Sequence, residues 1–540
     1  MVKDDLQTIN EILSAEGWLN VTKEPFLGEA GECYGEFEIP TEKEVLKIAM
    51  FMQKGFPLQP IHFICKNAIG YNHQMQDGSL CLVAPPASTL QDRFLLELER
   101  LKLWVEKYYI QESVDEHYEY LSFPIEKNYT LFFDEDQVQP EISREHGSFI
   151  YSRLKDNNIG NDADLLVATN LGNRKSRWSS SFGTTFLKER SAGLWLLLDQ
   201  EPVIVGRFTM KHWDHLLPRL SSSQISAFYN AYRDFRLISG FEDGFILTLG
   251  YRIRSGGGSE IHWEAIFVPY EKFPLSLQGK KFSIKNENEK ILWCRTINMS
   301  YERLFGRGKL SSSLTRQNIL IIGTGALGSS LLAALVRGGC TRIALSDGDV
   351  IEPGNICRGE FTIGGTSTNK AIYLAYEAIK ISPFIEIAVH NKIEPCTPDN
   401  SEYIETKGKL GKYDIIFDCS TDKYLSIMID QMGLPGKVIN LSITDKADNI
   451  ALITGSGNIH LVKSHLFDRI APKSREPFYV ATGCWGPTFE ASFVDVNVML
   501  LQVLNELNSK IVASQEISSF FITRSKKSDG SMGYNIDYNV

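Results

Sequence analysis

The alternation of apolar and polar positions divides the chain into stretches of different character. Leu6, Ile9, Ile12 and Leu13 recur at helical spacing, which predicts an amphipathic helix from Asp5 to Glu16. Cys33 to Ile39 alternates with period two, as a half-buried strand does. Phe56 to Cys65 reads as an extended segment punctuated by Pro57 and Pro60, and Leu90 to Tyr109 returns to helical spacing. Farther on, Ala192 to Phe208 and Gly244 to Pro269 read as strands, with a helix from Gln224 to Phe235 between them. Ser255-Gly256-Gly257-Gly258-Ser259 is expected to be a hairpin tip or loop. The strongest pattern comes later. A β-rich run, Ile319 to Ile322, enters Gly323-Thr324-Gly325-Ala326-Leu327-Gly328, and an Ala/Leu-rich helix leaves it. Arg342 to Ser346 and Tyr413 to Phe417 are further buried-strand runs, and Ala491 to about Leu507 is an apolar helix.

A glycine turn between a strand and a helix is the context that a dinucleotide-type phosphate loop requires, but the turn alone is weak evidence. Asp347, about twenty residues on, stands where an acidic side chain reaches a ribose hydroxyl. Asn355, Arg358 and Lys370 then follow in a Gly- and Pro-containing segment. A hydride carrier does not call for such a polar, cationic cluster there. Transfer of an adenylyl group to a carboxylate does, because two anions must approach each other. Unit charges about 4 Å apart interact by roughly 4 kcal/mol at an effective dielectric near 20, so cations remove much of the repulsion.

SDGDVIEPGNICR followed by Lys370 resembles the ThiF/MoeB/ubiquitin-activating adenylation family. The resemblance implies a Rossmann-like α/β domain that binds ATP and Mg2+. By that resemblance Gly323, Gly325 and Gly328 form the phosphate loop, Asp347 holds the ribose, Asn355 and Arg358 hold phosphates, and Lys370 meets the α-phosphate and the incoming carboxylate. The family's Mg-ATP aspartate corresponds best to Asp422 in Asp418-Cys419-Ser420-Thr421-Asp422. The spacing is one residue longer than usual, which leaves Asp418 as the alternative. An arginine offered from a partner subunit corresponds to Arg307, with Arg303 the other choice, and the family implies a homodimer. Cys484, between Gly483 and Trp485 ahead of a helix, is the candidate acceptor cysteine, with Cys419 its competitor.

Near the N-terminus, Phe56-Pro57-Leu58-Gln59-Pro60, the Asp77-Gly78 turn and Cys81-Leu82 resemble the ubiquitin-conjugating family, over roughly residues 1–125. Cys81 then aligns with the thioester cysteine. The family has His-Pro-Asn where this chain has Tyr71-Asn72-His73. His73 is therefore either a participant in transfer, as hydrogen-bond donor or base, or a structural histidine.

The expected organisation is an α+β ubiquitin-conjugating-like domain at 1–135, a mixed linker domain at 136–300 without a catalytic constellation, and the adenylation domain at 301–540. A length of 540 residues suits several cores. The net charge of −10 argues against direct nucleic-acid binding. The N-terminus shows no signal-peptide pattern, and the protein is expected to be cytoplasmic. The twenty uncharged residues between Arg316 and Arg337 are long enough to span a bilayer, but three glycines interrupt them, so a strand and a packed helix explain them better. Nine scattered cysteines include no C-x-x-C pair, so neither a structural zinc site nor a disulfide framework is expected, and Cys65 and Cys340 read as packing residues.

The order of the two ends resembles the fusion proteins of CBASS-type antiphage operons. That resemblance implies ATP-dependent activation of a protein's C-terminal carboxylate, that of a cGAS-like nucleotidyltransferase, followed by thioester capture and transfer to an acceptor amine, giving an isopeptide. Two other readings stand beside it: an activator for sulfur transfer of the ThiF/MoeB type, and a scaffold that only binds.

Overall fold

A computed structural model describes residues 3–29, 31–113, 115, 120–135, 144–155, 164–238, 243–255, 258–286, 288–455, 457–470 and 490–539. The chain divides into two compact units. One comprises Met1–Arg153, Asn157–Ser176 and Glu189–Asn298, the other Leu154–Asp156, Arg177–Lys188 and Met299–Val540.

The first unit begins with the helix Lys3–Ala15 and an antiparallel sheet in chain order, Asn20–Leu27, Cys33–Pro40, Val45–Met52 and Ile61–Cys65. The period-two reading of residues 33–39 is realised, since alternate side chains from Cys33 to Ile39 are buried. Of the extended segment expected from Phe56, only Ile61–Cys65 is strand; residues 53–59 turn back on themselves through bonds such as Phe56 N to Gln53 O at 3.0 Å. The helix Leu90–Trp104 is started by Thr89, whose hydroxyl accepts from Asp92 N at 3.1 Å, and passes into a π-helical turn, Val105–Ile110. Phe94, Leu98, Leu101 and Trp104 sit on one face of that helix and bury themselves with Phe37 and Phe63 of the sheet.

The same unit also contains a closed barrel in the order Gly244–Ser255, Gly258–Pro269, Leu292–Asn298, Tyr129–Phe133, Asp164–Ala168, His146–Leu154 and Leu187–Leu197. Gly244–Ser255 and Gly258–Pro269 pair antiparallel as far as Ser255 and Gly258, and Gly256 and Gly257 of the expected tip lie outside the described residues. The strand Tyr129–Phe133 lies inside the segment assigned to the N-terminal domain, yet it pairs in parallel with Leu292–Asn298 and Asp164–Ala168. Its Leu131 and Phe133 face Trp195 and Trp263 in one cluster, so it belongs to the barrel by packing.

The second unit is built on an eight-stranded sheet. Glu386–His390, Arg342–Ser346, Asn318–Ile322, Ile415–Asp418 and Lys437–Ile443 run parallel. Asn449–Thr454, Phe520–Lys526 and Met532–Asp537 continue the sheet antiparallel. The central strands Asn318–Ile322 and Ile415–Asp418 are apolar on both faces because helices cover both, whereas the edge strands Glu386–His390 and Met532–Asp537 are largely exposed. Ile319 and Ile321 pack under Ala326–Arg337, Lys370–Ile381 and Phe493–Val512, whereas Leu320 and Ile322 pack under Ser401–Leu410 and Lys423–Met432. The apolar run tested as a membrane span is therefore a core strand and a nearly wholly buried helix. Among the described residues no helix is long and apolar enough to cross a membrane. The first strand of this sheet sits in the middle. The chain moves to one side of it for the next two strands and to the other for the fourth, which opens a crevice at the carboxyl ends of the strands.

Candidate active site

The crevice holds a cavity of about 350 Å3. Gly323 and Gly325 line it, together with Asp347, Asp349, Lys370, Lys392, Cys419 and Asp422. The glycine turn is dictated by close contacts. Gly323 has φ of +80°, and a Cβ there would lie 2.8 Å from Ser420 N. A Cβ on Gly328 would lie 2.0 Å from Gly323 O, so only glycine lets the helix start this close to the strand end. A Cβ at Gly325 would meet nothing within 4 Å. Gly325, which lines the cavity, caps the twelve-residue helix Ala326–Arg337 without a side-chain bond.

Asp347 latches this loop. Its Oδ2 accepts from Thr324 N at 2.6 Å and from Thr324 Oγ1 at 3.0 Å, while Oδ1 accepts from Asp349 N at 2.8 Å. A carboxylate offers about four acceptor positions, so these bonds leave room for about one more donor. Lys370 opens the helix Lys370–Ile381 under the cap of Asn369, whose Oδ1 accepts from Ile372 N and whose amide donates to Asp347 O at 3.1 Å. Only 9% of Lys370 is exposed, and its Nζ lies 3.1 Å from Asp349 Oδ2.

The two candidate aspartates differ sharply. Asp418 is 2% exposed and spends both oxygens internally: Oδ1 accepts from Ser420 N and Oγ, and Oδ2 from Ser426 Oγ and Asn440 Nδ2. Asp422 lines the cavity, and only its Oδ1 is engaged among the described residues, accepting from Tyr424 N and Leu425 N at the start of Lys423–Met432. Cys419 also lines the cavity, but burial and the Asp418 carboxylate push its thiol well above the usual range.

Other expected residues are not brought to the cavity lining. Asn355 completes a capping box with Glu352 at the start of the short helix Pro353–Ile356, its Oδ1 accepting from Glu352 N at 3.0 Å, and Arg358 follows it half-buried. Arg307 is exposed on a turn after Tyr301–Phe305. Cys484 lies outside the described residues.

Two lysines escaped the sequence reading. Lys392, just past the strand Glu386–His390, lines the cavity; Glu394, whose Oε1 is 3.0 Å from its Nζ, and the Asp422 and Asp349 carboxylates hold its pKa above the ordinary lysine value. Lys463 lies near Asp418 and Cys419, and burial pulls its pKa down. The signal for Lys392 was its place just past the carboxyl end of a parallel strand, the edge strand Glu386–His390. For Lys463 there was none, since its helix follows the sheet by topology rather than by motif.

In the other unit, Cys81 is exposed on a loop pinned by backbone bonds: Cys81 N to His73 O at 2.7 Å, Leu80 N to Phe63 O at 2.8 Å, and Met75 N to Ser79 O at 2.7 Å. Gly78 has φ of +84°, and a Cβ there would sit 2.3 Å from Cys65 O, so the turn after Asp77 demands glycine. His73 takes a left-handed conformation, and its Nε2 lies 2.7 Å from Asp115 Oδ2. Asp115 also accepts from Lys107 Nζ at 2.7 Å and from Tyr108 OH, and its bonds to His73 and Lys107 hold its carboxyl far below the usual range.

A ThiF domain is present at residues 299–432. The glycine loop, Asp347, Lys370 and Asp422 all fall within this ThiF match. Over 443 residues the chain is 24% identical to the ATP-dependent ubiquitin transferase-like protein Cap2 of Enterobacter hormaechei subsp. hoffmannii, spanning 76% of this chain and 72% of that one. It is 30% identical over 119 residues to the adenylyltransferase and sulfurtransferase uba4 of Pyricularia oryzae, covering 21% of this chain and 22% of that one. A solved structure of E. coli MccB with ATP is 16% identical, with a TM-score of 0.28, covering 42% of this chain and 64% of that one.

Proposed function

We propose that the ThiF domain binds ATP in the Gly323–Lys370 cavity and adenylates the C-terminal carboxylate of a protein partner. The observation that carries this reading is one cavity lined by a glycine turn, an aspartate with an acceptor position to spare, and two lysines. The helix amides at Gly325 and the Lys370 and Lys392 ammonium groups suit a triphosphate. Asp347 would take a ribose hydroxyl, and Asp422 would hold Mg2+, which supplies charge neutralisation when bound. Asn355 and Arg358 are assigned to the phosphates by resemblance, as Arg307 of a second copy is. The carboxylate oxygen attacks the α-phosphorus, and pyrophosphate leaves.

In the second half of the reaction a thiolate attacks the acyl-adenylate carbonyl and AMP leaves; Cys484 is assigned this step. Exchange places the acyl group on Cys81. An amine then attacks that thioester, the thiolate departs, and an isopeptide remains. Likeness to Cap2 over most of the chain and an exposed Cys81 on a loop held by backbone hydrogen bonds support conjugation. The proposed partner is a cGAS-like nucleotidyltransferase, and a homodimer is the proposed assembly. The likeness to uba4 favours sulfur transfer as a second reading, but that reading gives Cys81 no task. Partner-stimulated ATP–pyrophosphate exchange tests adenylation and would eliminate a mere scaffold. Trapping a reductant-sensitive adduct on Cys81 favours conjugation, whereas labelled sulfur on the partner favours sulfur transfer.

A further inference from the structure

The barrel unit carries a cluster that the proposed reaction does not use. His212, Asp214 and His215 offer one ligand atom each, all within 4.8 Å of one another. Local folding brings them together. His212 is extended (φ −129°, ψ 154°) and bridges to Lys290 in antiparallel fashion, and the chain then turns into Trp213–Leu216. Trp213 is 2% exposed and stacks on Phe228 at 5.4 Å, which fixes the turn against the helix Ser222–Ile238. His215 N closes the turn on His212 O at 3.2 Å. Anchoring Trp213 in the core leaves its neighbours half-buried at His212 and Asp214 and exposed at His215.

Asp214 Oδ1 is buried and has no hydrogen-bond partner among the described residues. Such an oxygen is costly to bury unless something cationic or protic satisfies it. Two imidazoles and a carboxylate suit a borderline transition ion rather than Mg2+ or Ca2+, which prefer oxygen alone. With metal–ligand bonds of about 2.0–2.2 Å, ligand atoms around a tetrahedral ion stand about 3.3–3.6 Å apart, inside the 4.8 Å limit these three atoms share. We propose that His212, Asp214 and His215 form a Zn2+-type site with three protein ligands and one open position, which clamps this turn of the barrel.

The test uses the full chain, stripped with a chelator and titrated with Zn2+ against a chromophoric competitor, then with Co2+ followed by visible absorption. Wild type is expected to bind an equivalent of Zn2+ that the His212→Gln/His215→Gln variant lacks, and to show tetrahedral Co2+ bands that the variant lacks. Asp214→Asn, a milder change, should weaken Zn2+ binding at least about tenfold. Metal-free melting curves and circular dichroism establish that each variant folds. Equal Zn2+ stoichiometry in wild type and a folded variant would overturn the site, as would Co2+ bands that survive the substitutions. Pyrophosphate exchange should persist in all variants, so failure here is distinguishable from failure of the adenylation reading.

Discussion

Asp347 and Thr324 are joined by two hydrogen bonds, from the Thr324 amide at 2.6 Å and its hydroxyl at 3.0 Å, and Thr324 is fully buried. The residue expected to bind a ribose therefore also holds the glycine turn in shape. Asp347→Asn replaces one acceptor oxygen by a donor and should cost about 1–3 kcal/mol in stability. It should also raise the KM for ATP. Thr324→Ala removes one bond and should cost about 1 kcal/mol. Denaturant unfolding and ATP titration read both effects.

The glycines of the loop are not equivalent. Gly328→Ala would put a Cβ 2.0 Å from Gly323 O and should destabilise by several kcal/mol or leave the protein insoluble. Gly325→Ala meets nothing within 4 Å and should melt within about 0.5 kcal/mol of wild type. If phosphates approach this backbone, the same variant should bind ATP at least tenfold more weakly. Normal melting together with normal ATP binding would remove Gly325 from the site.

Asp418 and Asp422 separate in the same manner. Asp418→Asn disturbs a saturated buried network and should lower the melting temperature. Asp422→Asn should leave melting nearly unchanged while raising the Mg2+ concentration needed for half-maximal exchange. The reverse outcome would exchange their roles.

Asp115 gives a pH signature. Its carboxyl is held below the ordinary value by His73 and Lys107, so its stabilisation is present above the unfolded carboxylate pKa and is lost as pH falls through the folded one. Asp115→Asn should thus be less stable than wild type by about 1 kcal/mol at neutral pH, with the gap closing below about pH 4. Equal urea midpoints at neutral pH would show that the His73–Asp115 contact holds nothing in place.

Much of the second unit was legible in the chain because a both-face-buried parallel sheet writes continuous apolar runs, as at 319–322 and 342–346, and because Gly323 and Gly328 obey contacts that permit no side chain. The barrel was less legible. Tyr129–Phe133 is five residues long, and its partners lie as far away as Leu292–Asn298, a pairing that no local pattern carries. The cavity was legible at Asp347 and Lys370 and not at Lys392, which enters through topology, whereas the place of Asn355 off the lining follows from its use in a capping box.

ATP–pyrophosphate exchange, stimulated by a protein with the proper free C-terminus, tests the central claim most directly. Wild type and Cys81→Ala should exchange at comparable rates, and Lys370→Ala should not exchange measurably. Undiminished exchange by Lys370→Ala, or its loss in Cys81→Ala, would contradict the account.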